Sequence, residues 1–118
     1  MSGIVFFRTA DRGTVVAFYR DRLGFETWLE QDGCTILRHD DLKLGFCDTD
    51  GDPETDGIVT LYYDARADVD EKRAELADVA TDDPRVNDDY DIYQFFADDP
   101  EGRTLEFQTF LHDLPDED

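Results

Sequence analysis

The chain has 118 residues, 31 of them Asp or Glu against 11 Lys or Arg, for a net charge of −20 at neutral pH. That length fits one domain, and the charge excludes nucleic acid and anionic membrane surfaces as partners, because like charges repel. A hydrophobic content of 40% suffices for a modest core, and no apolar run approaches the ~18 residues of a membrane span.

Taken in order, residues 3–8 predict a strand through Ile4-Val5-Phe6-Phe7. Asp11 is suited to cap a helix whose apolar stripe is Val15, Phe18 and Tyr19 with Val16 and Leu23, ending at Gly24. Residues 25–31 alternate as a strand does, and Asp32-Gly33 marks a turn. Residues 34–38 and 42–47 predict a hairpin turning at Asp40-Asp41. Counted outward from that turn, His39 pairs with Leu42, Arg38 with Lys43, Ile36 with Gly45 and Cys34 with Cys47. Leu37, Leu42, Leu44 and Phe46 then share one face, and Cys34, Ile36, Arg38, Lys43, Gly45 and Cys47 the other. The acidic stretch 48–56 predicts an exposed linker.

The pattern then recurs. Residues 57–64 predict a strand, and a helix starts at Asp68 or Asp70 and runs to about Val79, with Val69, Leu76 and Val79 inward. Residues 81–91 predict a loop with a short edge strand around 85–90. Two final strands, 92–97 and 103–110, flank the turn Asp99-Pro100-Glu101-Gly102, where Pro100 presets φ and Gly102 tolerates a positive one. On the last strand Leu105, Phe107 and Thr109 share one face; Thr104, Glu106, Gln108 and Phe110 share the other.

The acidic residues are spread along the chain. Adaptation to a high-salt cytoplasm predicts such a surface, since at molar salt the Debye length shrinks to roughly 3 Å and self-repulsion fades. No basic segment followed by an apolar one opens the sequence, so a cytoplasmic protein is expected. There Cys34 and Cys47 would be small buried thiols.

Two segments carry a family resemblance. Asp98-Asp99-Pro100-Glu101-Gly102-Arg103-Thr104-Leu105-Glu106-Phe107 resembles the terminal hairpin of the vicinal oxygen chelate superfamily, which holds glyoxalase I, bleomycin-resistance proteins and extradiol dioxygenases. Phe18-Tyr19-Arg20-Asp21-Arg22-Leu23-Gly24-Phe25-Glu26 resembles that group's first helix end and following strand. The resemblance covers nearly the whole chain. It implies an α+β fold: two tandem βαβββ modules forming a curved mixed sheet around a cavity, with helices on the outer face. Module one would span about 1–50 and module two about 57–112, in a single domain 1–118 with an acidic tail 113–118.

Metal-dependent members of the superfamily place His or Gln on the first strand of each module and Glu on the last. Carried over residue by residue, those positions fall on Ile4, Lys43, Ile58 and Glu106. Only Glu106 can ligate, and one carboxylate does not make a divalent site. No metal ligand set and no cofactor is therefore expected. His39, at a hairpin turn, and His112, beyond the last strand, are expected at the surface.

Arg8, Lys43, Thr60, Tyr62, Tyr93 and Glu106 are the candidate cavity residues, with Arg8 where glyoxalase-like members place a substrate-contacting arginine. A carboxylate beside two cations would orient a polar ligand by charge-assisted hydrogen bonds. The aromatics Phe6, Tyr62, Tyr63, Tyr90, Tyr93, Phe95 and Phe96 are candidate walls for a planar organic ligand. The expected function is metal-free binding of a small organic molecule by a homodimer, no catalytic residue being assigned. The alternative is a lyase, isomerase or dioxygenase that chelates a divalent metal through Glu106 and unrecognised groups.

Overall fold

A computed structural model describes residues 2–115. Its elements are β1 (Val5–Thr9), α1 (Arg12–Asp21), β2 (Glu26–Gln31), β3 (Cys34–His39), β4 (Leu42–Asp48), β5 (Ile58–Tyr63), α2 (Arg66–Glu75), β6 (Arg85–Asn87), β7 (Ile92–Asp98) and β8 (Thr104–Phe110). They form two four-stranded mixed sheets with orders β1-β4-β3-β2 and β5-β8-β7-β6. In each sheet the first and last strands of the module run parallel and the remaining pairs antiparallel. This is the βαβββ arrangement, twice over.

The chain divides into two compact units. The first takes the described residues up to Asp56 together with Asp99–Gly102; the second takes Gly57–Asp98 and the described residues from Arg103 onward. The turn 99–102 counts with the first unit because its side chains fasten the start of α1. Glu101 accepts from Thr9 Oγ1 at 2.7 Å and from the Ala10 amide at 2.9 Å. The Asp99 carboxylate accepts from the Tyr19 hydroxyl at 2.9 Å. The backbone closes the turn through Gly102 N to Asp99 O at 3.0 Å, with Gly102 at φ +89°, a region closed to most side chains.

Within the first unit α1 begins as its sequence dictates. Asp11 Oδ1 accepts from the Thr14 amide at 3.3 Å, satisfying one of the helix's unpaired donors. Val15, Phe18 and Tyr19 are buried, with Leu23 and Phe25 beyond the helix end and Leu37, Leu44 and Phe46 from the sheet. The β3–β4 register is the one set by the two-residue turn, from His39↔Leu42 out to Cys34↔Cys47. Asp40 takes the turn's positive φ of 52°. β2 departs from simple alternation: a register shift between Thr27 and Leu29 bulges Trp28, the usual effect of one extra residue in a strand.

The expected free thiols are corrected by the structure. Cys34 and Cys47 form a disulfide, with Cα atoms 4.1 Å apart. Asp48 N donates to Gly33 O at 2.8 Å on the adjacent rung, so the cysteines occupy a non-hydrogen-bonded pair, where opposing side chains lie closest.

The second unit packs α2 on the face of its sheet that carries Val59, Leu61, Phe95, Ala97, Leu105 and Phe107, all buried, with Val69 and Leu76 inward. Phe95 and Phe107 stack with centroids 5.0 Å apart. α2 starts earlier than Asp68, at Arg66 after Ala65, with no side-chain cap. Asp68 instead lies in the first turn, where a carboxylate faces the positive end of the helix dipole. No helix among the described residues is long and apolar enough to cross a membrane.

Candidate functional site

The face of the second sheet opposite α2 carries a different chemistry. Pairing sets its rows: Ile58 beside Thr104, Thr60 beside Glu106 and Tyr62 beside Gln108 across β5–β8. Across β7–β8, Phe96 lies beside Glu106, Gln94 beside Gln108 and Ile92 beside Phe110. Asn87 on β6 extends the row of Ile92. A cavity of about 500 Å³ opens on this face. Its polar lining is Glu106, Gln108, Gln94, Asn87 and His112; its apolar lining is Ile58, Ile92, Phe96, Phe110 and the Tyr90 ring.

Glu106 is held by Thr60, whose Oγ1 donates to Glu106 Oε1 at 2.7 Å. The threonine fixes the carboxylate's direction because the two share a rung of the parallel pair β5–β8. Asn87 Nδ2 donates to Gln94 Oε1 at 3.0 Å. Gln94 and Gln108 are only 4% and 7% exposed and both line this cavity, Gln94 also bordering the depression beside β6. The Phe110 ring stands edge-on to Tyr62, with centroids 5.6 Å apart, and edge-on to His112, also 5.6 Å away. Tyr62 extends the same face.

Tyr93 does not join this group. Its partner across the ladder is Thr109, which puts it on the helix face. Its hydroxyl donates to Asp70 of α2, and the Arg66 guanidinium lies 4.3 Å from its ring centre. That hydrogen bond raises the phenol's pKa, with burial and the Asp70 charge adding to it and Arg66 opposing. Tyr63 and Phe95 are likewise on the helix side. Of the expected aromatic walls in this unit, Tyr90 and Phe96 line the cavity.

Arg8 and Lys43 belong to the first unit. Arg8 lies beside Cys47 in the β1–β4 pair, and its amide donates to Glu54 Oε1 at 2.8 Å. Lys43 sits with Nζ 5.0 Å from the centre of the ring of Trp28, the bulged residue of β2, a cation–π contact. Phe6 lies across Gly45: a Cβ built on that glycine would overlap the Phe6 ring.

The metal positions carried over from the resemblance can be tested on the side chains. Ile58 lines the cavity beside Glu106 and offers no donor. Among the described residues no group of three or more His, Cys, Asp or Glu side chains converges as a metal site would require. Of the four carried-over positions, Glu106 alone presents a donor atom. Sequence reasoning missed Gln94, Gln108, Asn87 and His112 as lining residues. The signal was available for the two glutamines: counting back from the 99–102 turn pairs Phe96 with Glu106 and Gln94 with Gln108.

Solved structures share this fold. A glyoxalase/bleomycin resistance protein/dioxygenase from Nocardioides matches with a TM-score of 0.79 and 14% identity, over 100% of this chain and 88% of that one. A glyoxalase/bleomycin resistance protein/dioxygenase family enzyme from Burkholderia phytofirmans PsJN matches at 0.77 and 19%, over 92% of this chain and 97% of that one. A lactoylglutathione lyase from Agrobacterium tumefaciens matches at 0.75 and 21%, over 92% of each chain. No protein-family model and no curated protein matches the chain. At such identities the likeness establishes the fold: two βαβββ modules, as in proteins bearing those names.

Proposed function

We propose that the chain is a small-molecule-binding member of the glyoxalase/bleomycin-resistance/dioxygenase superfamily, holding an organic ligand beside Glu106 without a complete metal site. The observation that carries this reading is the cavity of about 500 Å³ with mixed apolar and amide lining around one anchored carboxylate. Sites for small organic molecules combine these features: apolar walls for affinity and a few fixed polar groups for orientation. Ligand binding is tested by thermal shift against a broad panel of small molecules, since anything that binds the folded state alone raises its melting temperature. Flat responses across the panel refute it.

A second reading rests on His112, which lines the same cavity as Glu106. In that reading the two hold a divalent metal with donors from elsewhere, and the protein is a lyase, isomerase or dioxygenase. Metal analysis after exhaustive dialysis separates the readings: stoichiometric Ni, Zn, Mn or Fe supports the enzyme, and metal at trace level supports the binding protein.

The superfamily likeness also motivates a homodimer. Val5, Phe6, Trp28 and Leu29 of the first unit are exposed apolar side chains that a second copy would cover. Light scattering in high salt tests it. The net charge of −20 supports a cytoplasm of high ionic strength as the working environment.

A further inference from the structure

We propose that the cavity beside Glu106 takes a planar aromatic cation bearing N–H donors, of the amidinium type, and rejects organic anions. The inference rests on the ligand-binding reading and names the class of ligand. Thr60 occupies one oxygen of Glu106, at 2.7 Å, and no described residue donates to the other. Gln108, more than nine-tenths buried, lines the cavity with no hydrogen-bond partner for its amide among the described residues. Its amide is not among the fully buried unpaired side-chain atoms, so it opens to the cavity, where a ligand or water completes it. Two groups thus wait on one molecule: an acceptor carrying charge and an amide able to donate and accept.

The sign of the charge follows from what surrounds them. No Lys or Arg lines the cavity among the described residues. The nearest guanidinium along the sheet, Arg85 beside Gln94, is answered by Asp82 at 3.8 Å, and Asp88 and Asp89 flank the neighbouring depression. An organic anion would meet the Glu106 carboxylate, with the His112 imidazole the one basic group in the lining among the described residues. A cation meets a carboxylate, the aromatic lining residues Phe96 and Phe110, and the negative field of the whole chain. An amidinium carries N–H groups on two nitrogens in one plane, which suits a cavity offering both a carboxylate and an amide oxygen among aromatic residues.

Three probes of one shape decide it: 2-naphthamidinium, 2-naphthamide and 2-naphthoate. Binding is measured by calorimetry in ~0.5 M KCl, where long-range surface attraction is screened. Expected is an amidinium affinity about tenfold or more above the amide, with naphthoate undetected, the difference of one charge-assisted contact. Glu106→Gln should remove the amidinium's advantage over the amide, and a cooperative thermal transition close to that of the natural protein shows that the variant is folded. Naphthoate or naphthamide binding as tightly as the amidinium overturns the cation assignment, as does a preference that survives Glu106→Gln. If all three probes fail while neutral or anionic molecules of a broad panel bind, the cation assignment alone falls. If nothing in the panel binds, the ligand-binding reading falls with it.

Discussion

The Tyr19 hydroxyl donates a buried hydrogen bond to Asp99 Oδ2 at 2.9 Å, joining residues 80 positions apart. The other Asp99 oxygen accepts from the Glu101 amide at 2.9 Å, so the carboxylate fixes the 99–102 turn while holding α1. Tyr19→Phe keeps the ring in place against Phe46 and Phe25, at 4.9 and 5.6 Å, and removes the hydroxyl. It should cost about 1.5–3 kcal/mol, the range for a buried hydrogen bond to a charged group. Urea denaturation of the two proteins checks it; equal midpoints would mean that water or another donor replaces the hydroxyl.

Gly45 and Phe6 form a second pair with a measurable coupling. A methyl at position 45 overlaps the Phe6 ring, and because that ring is half exposed it can swing away. Gly45→Ala should therefore destabilise by about 1 kcal/mol in the natural sequence and far less in a Phe6→Ala background, the signature of contacting residues in a double-mutant cycle. Additive effects would show that the ring does not rest on the glycine.

Alkaline stability should depend on Tyr63. Burial raises its pKa first, and the charges of Glu75 and Asp68 raise it further. In the unfolded chain the phenol ionises near ~10. Below that pH both states hold the proton and stability is complete; above it the unfolded chain loses the proton first, so stability falls as pH climbs toward the folded value. Tyr63→Phe should flatten the decline of melting temperature above pH 10. Tyr93, raised chiefly by its hydrogen bond to Asp70, leaves a smaller residual slope, which Tyr93→Phe should remove.

Salt should stabilise this protein. With a net charge of −20 the folded chain repels itself at low ionic strength. Melting temperature should rise steeply between ~0.05 and ~1 M KCl as the Debye length contracts, and KCl and NaCl should act alike if screening is the cause. A flat profile would assign the acidic surface another role.

Much of this architecture was legible because turns count residues. The Asp40-Asp41 turn fixed every rung of β3–β4, including Cys34 opposite Cys47; alternation set Glu106 on the face opposite Leu105 and Phe107, and the family resemblance made that face the cavity side. The same logic was not carried across the 99–102 turn into β7. Tyr93, an odd-numbered neighbour of Gln94, was placed on the cavity side although its partner Thr109 lies under α2. His112 escaped because nothing in the residues beyond a strand end reports which way the chain turns back. The helix start at Ala65 escaped because cap rules look for a polar side chain, and this helix begins without one. The oxidation state of the cysteines was argued from the compartment, whereas the ladder geometry brings their sulfurs together.

The turn at Asp99–Gly102 carries a lesson about divisibility. Repeated modules invite the thought that each half could be excised and survive. Here a fragment ending at Asp56 would strand the Thr9 hydroxyl, the Ala10 amide and the Tyr19 phenol, whose acceptors arrive more than forty residues later in the chain. The first repeat is finished only when the hairpin turn of the second has been synthesised, so a cut after the first repeat removes part of its own scaffold.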